Sequence, residues 1–157
     1  MKLRILLFMI LLPVTGCVKV EVCNDDKDSL MVARFKTMKE DVPADTTVKV
    51  FSLYGIREGM PDSLIYDSLA TTNTFEVPLD PHQDVSRFVM HIGDASDTLV
   101  VSHHREIYMV SYKCGFATLF TIDQIGYSTG MIKSYEIRKA MVDAETEKNE
   151  EHIWLYL

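Results

Sequence analysis

The chain has 157 residues, 47% of them hydrophobic, and carries 16 Lys and Arg against 23 Asp and Glu for a net charge of −7. That length suits one domain with a sizeable core. The acidic balance repels nucleic acid and anionic lipid headgroups, so neither is an expected partner. Beyond the N-terminus no apolar run approaches the roughly 20 residues that span a bilayer.

Met1, Lys2, Leu3 and Arg4 lead into the unbroken apolar run Ile5 to Leu12, followed by Pro13, Val14, Thr15, Gly16 and Cys17. Two cations, an apolar run too short to cross a bilayer as a lasting helix, and small residues ahead of a cysteine describe an export signal. Val14, Thr15 and Gly16 before Cys17 resemble the lipobox of bacterial lipoproteins, with Val14 where Leu is commoner. The resemblance implies that the Cys17 sulfur takes a diacylglycerol and that cleavage leaves Cys17 first. The alternatives are an ordinary secretory signal in which Cys17 is incidental, or a short anchor left uncleaved. Each buried methylene of such a lipid contributes about 0.8 kcal/mol, and several acyl chains on one cysteine exceed the marginal grip of a single chain. The chain therefore divides into a signal peptide at residues 1–16, a lipid-anchored N-terminus and short spacer at 17–28, and a soluble β-sandwich domain at 29–157. Its expected partners are the membrane, through the lipid on Cys17, and an envelope protein or glycan.

With Cys17 committed to lipid, Cys23 and Cys114 remain, in a compartment that permits disulfides. They are expected to pair, closing a loop of about 92 residues and stabilising the fold by up to about 4.6 kcal/mol on the chain-entropy estimate. Two separate buried thiols are the alternative, and no nearby Cys or His supplies zinc-ligand spacing. A bridge at Cys23 would make the membrane tether and the folded body move together.

Asn24 to Asp28 form a short charged spacer, after which short apolar runs alternate with turn residues, the all-β pattern. Leu30 to Lys36, Thr47 to Tyr54 and the weaker run Leu64 to Leu69 are predicted strands, and Gly55 to Ser63 is a loop punctuated by Gly59, Pro61 and Asp62. The clearest alternation sets Phe75, Val77 and Leu79 against Glu76, Pro78 and Asp80, then Phe88, Met90 and Ile92 against Arg87, Val89 and His91. Pro78 places its strand at a sheet edge or at a strand end. Ser86 to Gly93 and Thr98 to His103 are expected to form a hairpin through the turn Asp94, Ala95, Ser96, Asp97.

Ile107 to Cys114 and Phe116 to Ile122, split by Gly115, are the next two strands. Tyr108, Val110, Tyr112 and Cys114 share one face, expected to be the core side. Met131 to Val142 tolerates a helix, but a strand with Tyr135 and Ile137 inward is the better fit. The acidic run Asp143 to Glu151 is then the loop of a final hairpin, and His152 to Leu157 its closing strand, with Trp154 capping one end of the core.

Seven or more such strands suggest an all-β, two-sheet antiparallel sandwich. Tyr112, Lys113 and Cys114 are similar to the immunoglobulin tyrosine corner, which makes an immunoglobulin-like topology the favoured analogy. The first cysteine lies too far upstream for that pattern, and the sole Trp is at position 154.

Taken together, the lipobox, the early second cysteine, Asp97 to Val101 leading into Tyr108, Val110, Ser111, Cys114, Gly115 and Phe116, and the closing apolar strand resemble a family of small lipoproteins of the Bacteroidota catalogued as a domain of unknown function. The resemblance runs from about residue 17 to the end and implies a β-rich envelope domain, without specifying chemistry. In that group an acidic run directly after the lipid cysteine goes with export to the cell surface. Here Val18, Lys19 and Val20 come first, so an outer-membrane anchor facing the periplasm is expected.

No Gly-x-Ser-x-Gly elbow, Gly-rich phosphate loop or His-Glu-x-x-His pair occurs in the sequence. Cys114 as a nucleophile near His103 or His104 is outweighed by a structural cysteine on a core face. His103 and His104 are adjacent, so on a regular strand they point to opposite faces and cannot share one metal ion; a solvated pair at a strand end is the expected reading. Asp94 and Asp97 fall short of the six to eight oxygens calcium takes and read as turn residues. No catalytic, metal or cofactor site is therefore expected. Two readings remain: a non-catalytic envelope module for binding or assembly, and a small hydrolase or metal-dependent enzyme whose site is assembled from distant residues. A concave pocket with converging His and carboxylate groups would favour the enzyme, and an exposed apolar or aromatic patch the module.

Overall fold

The computed structural model describes residues 29–143 and 150–157. The expected signal peptide, Cys17, Cys23, the expected spacer and most of the acidic run lie outside the described residues. Every regular element described is a strand: β1 (Leu30–Lys39), β2 (Val42–Asp45), β3 (Val48–Ile56), β4 (Ser63–Thr72), β5 (Thr74–Pro78), β6 (Val85–Ile92), β7 (Ala95–Ser111), β8 (Gly115–Tyr127), β9 (Ser134–Ile137), β10 (Met141–Val142) and β11 (Ile153–Tyr156).

Two sheets result, as the period-two patterning requires. The first has the order β2-β1-β11-β9, with β5 also on β1. β11 takes one side of β1, in parallel, while β5 and β2 share the other side one after the other. Phe35 marks the handover, its N–H donating to the Asn73 carbonyl on the β5 side and its own carbonyl accepting from Thr46 just beyond β2. Pro78 closes β5, which pairs with β1 alone, so the missing N–H falls at an edge. The second sheet, β10-β8-β7-β6-β3-β4, is antiparallel throughout.

The alternating residues meet between the sheets. Met31, Ala33, Phe35, Phe75, Val77, Ile153 and Leu155 from the first face Phe51, Leu53, Phe88, Met90, Leu99, Val101 and Phe120 from the second. Phe35, Phe51 and Phe75 join the two layers, with ring centroids 5.3 to 5.6 Å apart. Offset and edge-on pairs at such spacing add to area burial.

Several expectations are corrected. The β6–β7 turn is two residues, Gly93 and Asp94, with Ile92 opposite Ala95, and Gly93 takes the positive φ (57°) that such a turn demands. Asp97 is therefore a strand residue and is buried, not a turn residue. β7 runs unbroken through two segments expected to be separate strands, because the β7–β8 pairing continues past the edge of the first sheet. Toward the hairpin end the exposure rises: Tyr112 is 97% exposed, so neither a tyrosine corner nor a core face forms there, although Cys114 is buried. Met131 to Val142 adopts strand rather than helix, but as two pieces in different sheets, β9 against β11 and β10 against β8. Trp154 does not cap the core. Its strand neighbours Ile153 and Leu155 point inward, leaving the indole on the other face between the Lys36 and Arg138 cations, each 4.2 Å from the ring centroid.

Candidate functional site

A cavity of about 430 Å³ opens at one end of the sandwich, lined by Arg57, Leu79, Asp80, Ser86, Arg87 and Phe88 among others. The turn after β5 brings Asp80 there. Its carboxylate accepts from Arg57 Nε at 2.8 Å and Nη2 at 2.6 Å and from the His82 N–H at 2.8 Å. Burial alone would raise the Asp80 pKa, but these donors outweigh it and hold the carboxyl below its ordinary value. The Asp80 N–H donates to Ser86 Oγ at 2.8 Å, and Ser86 Oγ lies 2.9 Å from His103 Nε2.

A serine against a histidine is half of a nucleophilic arrangement. The other half is missing among the described residues, because His103 Nδ1 has no hydrogen-bond partner to orient the ring. His103 is itself buried, edge-on to Phe120 at 5.2 Å, and burial, its chief influence, lowers its pKa. His104 points the other way, exposed, with Nδ1 3.0 Å from Asp123. The two histidines thus occupy opposite faces, as their adjacency predicts, but they are not a solvated pair at a strand end: both lie within β7, and His103 is buried because its face packs into the core. Among the described residues no group of three or more His, Cys, Asp or Glu is placed to hold a metal ion.

Asp97 organises the segment after β8. Its carboxylate accepts from Ser128 Oγ and from the N–H groups of Gly130, Met131 and Ile132. Burial pushes this carboxyl up, but four donors outweigh burial and hold it below the usual range. The fit is close: a Cβ on Gly130 would lie 2.7 Å from Asp97 Oδ1 and 2.8 Å from the Ser96 carbonyl.

The most conspicuous surface is the far end of the β7–β8 hairpin. The face that buries Asp97, Leu99, Val101 and His103 continues through Arg105 to Ile107 and Met109, with Phe116 directly opposite Met109. Ile107 is 75% and Phe116 67% exposed, and Met109, Val110 and Tyr112 are exposed with them. Between Glu106 and Asp123 the sequence has no acidic residue and one cation, Lys113. That acid-free run in an acidic chain is the signal that composition averaged over the whole sequence hides. Cys114 ends the turn, buried, its N–H donating to Ser111 Oγ at 3.1 Å, and Gly115 supplies the positive φ (76°) that starts β8. Ser29, just before β1, donates its hydroxyl to the Thr118 carbonyl on this hairpin.

Of the residues singled out by sequence, Cys114 sits at the hairpin turn, while Cys17 and Cys23 lie outside the described residues. The Ser86 and His103 pair carried no sequence signal, because 17 positions separate residues that only strand pairing brings together. No curated protein and no solved structure matches the chain. A family model does match residues 46–157, the span from just before β3 to the C-terminus, and the chain accordingly belongs to the family of unknown function DUF6452.

Proposed function

We propose that this protein is a lipid-anchored module of the bacterial cell envelope, held by Cys17 at the outer membrane facing the periplasm, and that it works by contact rather than by catalysis. The observation that carries the reading is the exposed apolar end of the β7–β8 hairpin, since contiguous apolar surface of this kind marks interaction sites. The lipobox-like Val14, Thr15, Gly16 and Cys17 supply the anchor. Cys23 pairs with Cys114 in this reading, and the burial of Cys114 at the hairpin turn supports that pairing. Replacing Cys17 with Ser is expected to move the protein from the membrane to the soluble fraction; a variant still sedimenting with membranes would refute the lipid anchor. Intact mass before and after reduction and alkylation reads the bridge, and two thiols alkylated in native protein would exclude it.

One observation favours a hydrolytic reading, the Ser86 and His103 contact beside the cavity. Its test is turnover of small activated esters by the native protein and by Ser86→Ala. Activity abolished by that substitution would replace the contact reading with an esterase.

A further inference from the structure

We propose that the end of the β7–β8 hairpin is a second membrane contact, lying in the interfacial layer of the bilayer to which Cys17 is anchored. The inference rests on the lipid-anchor reading and names the partner of the exposed hairpin. Three observations select a lipid surface over other occupants.

The first is where the chain leaves the described structure. Ser29 is bonded to Thr118, directly across from Ile107. It is the twelfth residue after Cys17, at most about 40 Å of extended chain away. With Cys23 bridged to Cys114 the reach shortens to six residues, about 20 Å. The hairpin is therefore the part of the body that the anchor draws toward the bilayer.

The second is chemistry. Tyr112 and Phe116 flank the turn as exposed aromatics, the side chains that favour the membrane–water boundary, and Ile107 and Met109 extend the apolar face behind them. Lys113, the single cation, can lay its stem along that surface and keep its ammonium at headgroup level. The acids that would oppose such a position are confined to either side, at Glu106 and Asp123.

The third is the backbone. Tyr108, Met109 and Ser111 pair with Ala117, Phe116 and Gly115, with a register shift at Val110, so most polar groups of the tip facing the partner strand are already satisfied.

The test uses full-length lipidated protein in phosphatidylcholine–phosphatidylethanolamine vesicles, with Phe116→Trp combined with Trp154→Phe, against the native chain. Phe116 is exposed, so the new indole displaces no core packing, while native Trp154 sits between Lys36 and Arg138 on the first sheet. Flotation reads the anchor and fluorescence reads the hairpin. We expect the indole at position 116 to shift blue on vesicles and to lose at least half its emission to lipids brominated near the headgroup end of the chains, with Trp154 unchanged. Floating protein whose indole at 116 is unquenched overturns the hairpin contact and leaves the anchor standing. A blue shift without bromine quenching assigns the tip to a protein partner or a second copy, and also overturns it. Protein that does not float overturns the anchor and this contact together.

Discussion

The two halves of β7 obey one rule and meet opposite fates. Asp97, Leu99, Val101 and His103 alternate into the interior, and on the same face, four to six residues on, Ile107 and Met109 stand in solvent. Side-chain direction is identical in both halves; what differs is the layer opposite. The first sheet supplies Phe35 and Phe75 against Phe51 at the centre, whereas β7 and β8, at 17 and 13 residues, are longer than any described strand of that sheet. A period-two pattern thus names a face and is silent on whether a second sheet covers it.

The comparison breaks most sharply at Phe51. Its ring meets Phe35, Tyr66 and Phe75 and is fully buried. Phe51→Ala is expected to cost about 3–5 kcal/mol, the lost transfer energy plus the cavity left between two sheets. Urea unfolding followed by circular dichroism measures it, and a loss under about 1 kcal/mol would mean that the cluster is not the centre of the core.

Asp97 comes next, because it ties the covered half of β7 to the segment after β8. In Asp97→Asn one carboxylate oxygen becomes an amide donor facing backbone donors. With about 1–3 kcal/mol for each buried donor left unpaired, a loss of about 2–4 kcal/mol is expected. Gly130→Ala attacks the same contact by steric conflict and should cost about 1–3 kcal/mol. If either variant unfolds at the native urea midpoint, the carboxylate does not organise that segment.

Much of the covered half was legible in the sequence, for a physical reason. Phe75, Val77 and Leu79, and Phe88 and Met90, lie where their alternation put them, since burial of one face is a local consequence of pleating. Asp97 reads as a turn residue in the sequence because a buried strand carboxylate has no local signature. Its four donors, at Ser128 and Gly130 to Ile132, lie more than 30 residues away. Tyr112 and Cys114 were assigned one environment because they share parity, but the turn at Tyr112 to Cys114 resets direction and leaves one exposed and the other buried. The exposed hairpin could be read only once the length of the first sheet was known.

Acid should expose the same division. His103 and His152 are buried with pKa values pushed down, by burial first in each case. His152 Nδ1 also accepts the Val32 N–H at 2.9 Å, a bond that a proton on that nitrogen would displace. Both histidines favour a neutral native state. Their contribution is complete above the unfolded pKa of about 6.5 and is lost as pH falls through the lower folded values. Asp97, also depressed, adds a second loss as pH falls below the ordinary carboxylate range of about 4. Urea midpoints should therefore decline from pH 7 to 5 and again below 4. In His103→Gln the first decline should be shallower, and an unchanged profile would remove His103 from this account.

The smallest effect is expected at the hairpin end, and it tests the comparison from the other side. Phe116→Thr keeps a side chain that suits a strand. Among the described residues it deletes the pair with Met109 across the ladder, a contact of about 0.2–1 kcal/mol. The ring is largely solvated, so its removal leaves no cavity and no buried polar group, the two mechanisms that make core truncations expensive. The urea midpoint should therefore shift several-fold less than in Phe51→Ala, with the slope of the transition unchanged. A loss at Phe116 as large as that at Phe51 would mean that the hairpin is covered in the native protein, and the contrast between the two halves of β7 would vanish.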